Sequence, residues 1–397
     1  MSEPVEFRGR WLVIGHYGAG NTGDEAMCRA LISASPPELR ARMIVVSKGA
    51  SGAPDGIERV PLEPGVLLRA FPRIAGVILG GGTHFHDEYV GRAYVAHLGS
   101  MVRHLVVYIL TRLGGGRVIW VGVGVGPLRR RLPRILFRAA ARTCGLIAVR
   151  DAASLERTQA LTSHGKVELA FDLAALLTPP RSNAGGRARD PGGTVLGVSV
   201  MNLDAFRGFG PGGADRTFHH IAQALRERLA QDDGLRVRVF VIGQSRREDD
   251  RDISGRLCRS LERAAPGRVR LVEYAPDPRE TLAGFAACDA VFATRYHSLL
   301  FGYLAGCRLA ALAYNEKVAD LSEELGLGAR AVLRPSEATD PGAVASCIRG
   351  LAGAHADFVP GLPIDEARAR ALRNIEAMVD AIDDFDAAPG ETRRPVS

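Results

Sequence analysis

Arg295 and His297, two residues apart in DAVFATRYHSLLFGYLAG (289–306), are the side chains best suited by type and spacing to do chemistry. A guanidinium grips carboxylate or phosphate in a fork, and an imidazole carries protons near neutral pH. Read as a strand through Tyr296, the segment alternates, sending Arg295 and His297 to one side and Tyr296 to the other. The helix that follows is almost wholly apolar and therefore buried, so its positive N-terminal end lies beside His297 and favours an anion. With an ordinary pKa of about 6.5, His297 is the expected general acid or base. Neighbouring Arg295 should lower that value in the free protein, and a bound phosphate should raise it again. Lys317, in AYNEKVADLSEELGL (313–327), follows the next strand and is expected near His297 as a second cation; a solvated helix start is its plainer reading.

Four further constellations lie in the first half. HYGAGNTGDEAM (16–27) satisfies GxGxxG through Gly18, Gly20 and Gly23. Asp24 and Glu25 nevertheless stand where a pyrophosphate would bind, and the second strand ends in Ser47-Lys48 without the acid a ribose needs, so a dinucleotide site is not expected. Thr22 and Glu25 fit a capping box. Asn21 and Asp24 fit it less well and are expected to face a ligand, Asp24 as a base for a hydroxyl. In LGGGTHFHDEY (79–89), the backbone at Gly81 and Gly82 can approach a ligand closely. His84, His86 and Asp87 lack an identifiable third protein ligand, so they are expected to line a cleft and not to hold a metal. The alternating glycines of VGVGVGPL (121–128) read as close helix packing on a sheet. In LIAVRDAAS (146–154), Asp151 reads as an N-cap, leaving Arg150 to fork onto a phosphate or carboxylate.

These residues stand at the ends of short Val, Ile and Leu runs that alternate with amphipathic stretches, the pattern of βαβ units and parallel sheets. Strands are expected at 11–15, 43–47, 76–81, 117–125, 146–150 and 167–171, then at 194–200, 236–243, 268–274, 289–296 and 308–314. Between the two sets, TPPRSNAGGRARDPGG (178–193) is rich in Pro, Gly and charge and has no period. The expected organisation is a Rossmann-like domain over 1–178 and a linker over 179–193. A second Rossmann-like domain covers 194–362, a helix over 363–386 packs back across the interface, and 387–397 is a disordered tail. The fold class is α/β, two open parallel-sheet domains facing a cleft.

Composition agrees with a globular protein of two cores: 397 residues, 46% hydrophobic and 24% charged, with 46 Gly. The net charge of +7, carried mainly by Arg, suits an acidic partner such as a phosphorylated metabolite, nucleotide or anionic lipid. Basic residues are spread without an interleaved aromatic stripe, so nucleic acid is not the expected partner. Six scattered Cys without a CxxC point to reduced thiols in a cytoplasmic protein without structural zinc. Acidic residues precede a very short apolar run at the N-terminus, unlike a signal peptide. The longest apolar stretch, 102–113, is interrupted by His104 and Arg112 and falls short of about 18 residues. Membrane contact is therefore expected to be peripheral at most, on the inner face.

Taken in order, these segments resemble the polysaccharide pyruvyl transferase family. The segment Gly20-Asn21-Thr22-Gly23-Asp24-Glu25-Ala26 is similar to its N-terminal loop and Gly80-Gly81-Gly82 to its glycine-rich strand end. Gly124, Gly126 and Pro127, Arg150-Asp151 with Ser154, Arg295 and His297 about Tyr296, and Tyr314 with Lys317 complete the series. The chain departs from the family at Thr83-His84 and at Phe171-Asp172-Leu173, which lacks the Asp-Pro of many relatives. The resemblance implies a bilobed fold like the GT-B glycosyltransferases and transfer of pyruvate, as a cyclic ketal, from phosphoenolpyruvate to a sugar in cell-envelope polysaccharide biosynthesis. It implies that Arg150, Arg295, His297 and Lys317 hold the donor and assist the chemistry, with no cofactor besides phosphoenolpyruvate. The acceptor is left open among a lipid-linked oligosaccharide, a nucleotide sugar and a small glycosylated metabolite. Two other classes compete: a GT-B glycosyltransferase with a nucleotide-sugar donor, and a non-catalytic module binding anionic glycans or nucleic acid.

Overall fold

The computed structural model contains two doubly wound parallel sheets. It describes residues 5–387 apart from 50–53, 55, 62, 164, 180–192, 205, 207, 210, 246–248 and 354. The first sheet comprises β1 (Trp11–Ile14), β2 (Met43–Val46), β3 (Arg59–Val60), β4 (Gly76–Phe85), β5 (Arg117–Val125), β6 (Cys144–Val149) and β7 (Val167–Leu169), in the order β3-β2-β1-β4-β5-β6-β7. The second comprises β8 (Val195–Ser199), β9 (Arg236–Phe240), β10 (Val269–Val272), β11 (Ala290–Ala293), β12 (Arg308–Leu312) and β13 (Val332–Leu333), in the order β10-β9-β8-β11-β12-β13. WLVI, MIVV and AVFA are buried at every position, as parallel strands covered by helices on both faces must be. The two-residue strands β3 and β13 escaped the sequence reading because so short an edge has no period to detect.

The first domain carries α1 (Thr22–Ala34), α2 (Pro37–Ala41), α3 (Pro64–Ala70), α4 (Gly91–Leu113), α5 (Arg131–Ala141) and α6 (Ala152–Leu161). The second carries α7 (Gly213–Gln231), α8 (Arg251–Ala264), α9 (Pro278–Ala286), α10 (Tyr296–Leu304), α11 (Glu316–Glu324), α12 (Pro335–Ala338) and α13 (Pro341–Ala352), and α14 (Ile364–Ala387) closes the chain. Helix α14 leaves the second domain and packs on β5 and β6 of the first. There Phe385 meets Trp11 edge-on with ring centroids 6.4 Å apart, and Asn374 Nδ2 donates to the Phe171 carbonyl at 2.7 Å. Except for residues 179 and 193, the segment read as a linker lies outside the described residues, as does the tail beyond Ala387.

In each sheet the strand order reverses between two neighbours, β1 and β4 in the first and β8 and β11 in the second. Loops at the carboxyl ends of such a pair diverge and leave a crevice. His16 to Asn21 and Thr294 to His297 follow strands of these pairs, and Gly81 to Asp87 form the carboxyl-terminal half of β4 and the two residues after it. Helix α4 is long and apolar enough by composition to cross a bilayer, a longer apolar element than the 102–113 run suggested, but it packs on β4 and β5 of the first sheet. The six cysteines are free thiols.

Replacing Asn374 by Ala should leave the buried Phe171 carbonyl without its donor and lower stability by about 1–3 kcal/mol. Urea unfolding would show this as an earlier midpoint; an unchanged midpoint would mean that the bond contributes nothing.

Candidate functional site

Two helix N-termini, one from each domain, meet at His297. Strand β11 ends at Ala293, four residues after the expected strand begins, and Arg295 is the N-cap of α10 in extended backbone. Tyr296 and His297 therefore belong to the first helical turn, and the strand-alternation geometry expected for Arg295, Tyr296 and His297 does not hold. Across the interface the His297 ring lies over Gly23 in the first turn of α1, in space that a methyl group there would occupy. The helix-terminus part of the expectation is present twice over, since α1 and α10 both direct their N-terminal turns here.

His297 Nε2 stands 3.8 Å from Asp172 Oδ2. Asp172 is fully buried and also takes the Ala174 N–H at 2.9 Å, a hydrogen bond from Tyr296 and, at 3.2 Å, Arg150 Nη1. The rest of the Arg150 fork reaches Asp151 Oδ2 at 3.3 Å and Thr83 Oγ1 at 3.0 Å. Its guanidinium carbon lies 3.9 Å from the centroid of the Tyr296 ring, a desolvated cation–π contact. Burial pushes the Asp172 carboxyl above the usual range while Arg150 first, then the Ala174 N–H and Tyr296, pull it back. Burial likewise pushes the Tyr296 phenol well up. Gly124 makes room for this arrangement: a Cβ there would stand 2.8 Å from both Arg150 Nε and Thr83 Oγ1. One glycine read as sheet packing thus serves the site, and Gly126 similarly leaves room for His86.

Arg295 turns away from this cluster. Its Nε and Nη2 donate to the two oxygens of Asp250 at 2.9 and 2.6 Å, with both side chains buried. Asp250 Oδ2 in turn accepts the Gly243 N–H at 3.1 Å. That turn clamps the first domain: the Thr22 N–H and Oγ1 donate to the Ile242 carbonyl at 3.0 and 2.8 Å, and the Gln244 N–H donates to Gly20 O at 2.8 Å. Gly18 and Gly20, both at positive φ, thus shape a loop docked on the second domain. The N-cap of α1 is Asn21, one residue before the Thr22 of the expected capping box; its side-chain oxygen accepts from the Gly23 and Asp24 N–H groups at 3.0 and 3.4 Å.

Asp24 follows Asn21 with Oδ1 3.7 Å from where a Gly82 side chain would begin. Gly81 and Gly82 adopt φ of 76° and 82°, a conformation that favours glycine. His84 Nε2 donates to the Gly81 carbonyl at 2.7 Å, and its ring lies 5.1 Å from that of His16 and 5.0 Å from that of His104. His86 goes the other way, 4.0 Å from the His97 ring. Among the described residues no three His, Cys, Asp or Glu groups are placed to hold a metal ion. Lys317 was expected beside His297; it lies within electrostatic reach of His86 and Glu88, near the junction where Glu88 accepts the Glu316 N–H at 3.1 Å. Sequence reasoning missed Asp172 and Asp250 as partners of the two arginines, because no local motif links residues 22 and 45 positions apart. A cavity of about 380 Å³ between β6, β7 and α14 shares no residue with the cluster, and its Glu168, Asp380, Asp383 and Asp384 suit no anion.

Residues 42–316 match the family model for polysaccharide pyruvyl transferase. No curated protein sequence matches the chain. Among solved structures, the S. aureus MnaA–UDP co-structure aligns with TM-score 0.60 and 8% identity over 95% of this chain and 97% of that one. The UDP-GlcNAc 2-epimerase of Methanocaldococcus jannaschii aligns with TM-score 0.58 and 9% identity over 94% and 99%. An α,α-trehalose 6-phosphate synthase from Burkholderia multivorans aligns with TM-score 0.52 and 13% identity over 98% and 99%. The likeness is one of fold: two Rossmann-like domains in the GT-B arrangement.

Asp250→Ala strips a buried guanidinium of its partner and should destabilise the fold by about 3–5 kcal/mol, read by urea unfolding; a loss below about 1 kcal/mol would contradict the pairing. A pH effect follows from His104, whose pKa is lowered to about 3 by burial first and by His16, Arg103 and His97. Between that value and about 6.5 in the unfolded chain, unfolding takes up a proton, so stability present at neutral pH is lost on acidification. The His104→Leu variant should lose less melting temperature than the parent between about pH 7 and pH 5; equal losses would refute the assignment.

Proposed function

The chain belongs to the polysaccharide pyruvyl transferase family, and we propose that it moves pyruvate from phosphoenolpyruvate onto a pair of sugar hydroxyls as a cyclic ketal, on a glycan or glycoconjugate precursor. The observation that carries this reading is the His297 imidazole held between the first turns of α1 and α10, with Asp172 and Arg150 behind it. A transferred enolpyruvyl group needs two things from a protein. Its carboxylate and phosphate need positive potential, and its C2–C3 double bond needs a proton delivered to C3 while a hydroxyl oxygen adds to C2.

In this reading the first acceptor hydroxyl loses its proton, its oxygen bonds to C2, and a proton enters C3 to make the methyl group. The second hydroxyl then bonds to C2 as the C–O bond to phosphate breaks, and its proton leaves with inorganic phosphate. Two sugar C–O bonds to C2 replace one phosphate ester and one π bond, with no oxidant or cofactor required. His297 passes the proton, with Asp172 orienting the ring, and the N–H groups of the two helix turns and Arg150 supply positive potential. Asp24, on the Gly82 side, takes the acceptor proton. Arg295 acts through Asp250 by holding the turn that bears the first domain. With a central metabolite as donor, the reaction belongs in the cytoplasm.

Incubation with phosphoenolpyruvate and candidate acceptors should release inorganic phosphate only when an acceptor is present, and mass spectrometry should find the acceptor heavier by one pyruvyl ketal. Release of a nucleotide from a nucleotide-sugar donor would replace this reading with glycosyl transfer. The His297→Ala variant should keep the parent's circular dichroism spectrum and lose turnover by about 10²- to 10⁴-fold; near-parental turnover would remove His297 from the chemistry.

A further inference from the structure

Helix α4 carries apolar residues on two faces. It buries Met101, Val107 and Tyr108 together with the polar His97, Ser100, His104 and Thr111, whereas Val95, Val102, Val106, Ile109 and Leu113 are 43–67% exposed. These outward residues recur at intervals of seven, four, three and four, which places them in one stripe along the helix. From Val95 to Leu113 the stripe is about 27 Å long at the α-helical rise. Helix α5 packs beside α4, joined by Arg130 lying 3.8 Å over the Tyr94 ring, and adds exposed Leu132 and Ile135. Arg131, Arg134 and Arg138 are exposed on α5, as are Arg103 and Arg112 on α4. Between Gly91 and Arg150 the sequence contains eleven Arg and not one Asp or Glu.

An apolar stripe of this length on an exposed helix marks a contact surface. The charge selects its occupant. A second copy of this chain seated symmetrically on the face would oppose arginine to arginine across the apolar contact. A lipid surface with anionic headgroups accepts both features at once, apolar side chains at the acyl boundary and guanidinium groups among the phosphates. We propose that the α4–α5 face docks this protein on an anionic lipid bilayer, with α4 lying along the interface and not crossing it. The N-terminal end of α4 follows Glu88 and Tyr89, which reach Glu316 and Phe206 of the second domain. Docking therefore sets the domain junction at the edge of the membrane. A lipid-linked acceptor suits that position, and this last step alone rests on the proposed function.

The full-length protein, without donor or acceptor, is sedimented with vesicles of phosphatidylcholine alone or with about a third phosphatidylglycerol. Binding should require the anionic lipid and fall as sodium chloride is raised. Val106→Asp combined with Ile109→Asp should weaken it by about tenfold or more, and Arg131→Glu with Arg134→Glu should remove the preference for anionic vesicles. All four positions are exposed, and the circular dichroism spectra should match the parent's. Three results would overturn the proposal: no vesicle binding, equal binding to both vesicle types that these variants leave unchanged, or a solution dimer that Val106→Asp with Ile109→Asp splits while vesicles are ignored. Because no turnover is measured, loss of the pyruvyl-transfer reading would leave this outcome standing, and the reverse.

Discussion

The cluster around His297 depends on how one carboxylate is satisfied. Asp172 is fully buried beside Arg150, which is itself 3% exposed. A buried charge is tolerable only when its hydrogen-bonding capacity is met. Here the first domain supplies Arg150 and the Ala174 N–H, and the second supplies Tyr296 and, at a looser 3.8 Å, His297. The arrangement is asymmetric in strength. The Arg150 contact and the Ala174 N–H stay within one domain and would survive separation, whereas the Tyr296 and His297 contacts exist only while the domains meet. A group that displaced His297 from Asp172 would thus act on the weakest member of the set.

The same asymmetry bears on access. His297 rests on Gly23, Thr22 is bonded to Ile242, and Arg157 forks onto Asp320 at 2.6 and 3.1 Å across the junction. With the domains so joined, His297 is left half-buried at the junction. Parting of the domains would be opposed by these contacts and by helix α1 packed on α9, with α14 and the segment between the sheets as the covalent links. Arg295 and Asp250 lie within the second domain, so their pair would keep the Gly243 turn shaped through opening and closure.

Most of the architecture was legible from the chain because buried parallel strands announce themselves as unbroken Val, Ile and Leu runs ending in Gly, Arg or Asp. The position of Arg150 was legible for a related reason, as a cation closing a strand, but the fork expected on a ligand anion is taken up by Thr83, Asp151 and Asp172. His297 was legible as a residue at a helix start, although the path to it was flawed, since the strand stops at Ala293 and helix begins at Tyr296. Two β-branched or aromatic positions fewer in the strand and a sharper turn at Thr294 separate the two geometries, a difference below what alternation can resolve. Asp172 and Asp250 were not legible. Each is a short polar residue in a loop whose role is set by an arginine far along the chain, and nothing in FDL or EDD distinguishes a buried counter-ion from a surface turn.

Helix α4 shows how pattern without context misleads. Its apolar residues invite burial, yet the face turned to the sheet must fill the space beside His16 and His84, and it does so with His104, whose ring stands 5.0 Å from that of His84. Burial holds His84 and His104 uncharged at neutral pH, so these imidazoles pack as aromatic rings and bring no charge to the first switch point. The polar residues of α4 can therefore face inward beside Met101, Val107 and Tyr108 at tolerable cost, and Val95, Val102, Val106 and Ile109 are left outside. The basic character of this part of the chain lies instead in the arginines of α4 and α5, which are displayed outward.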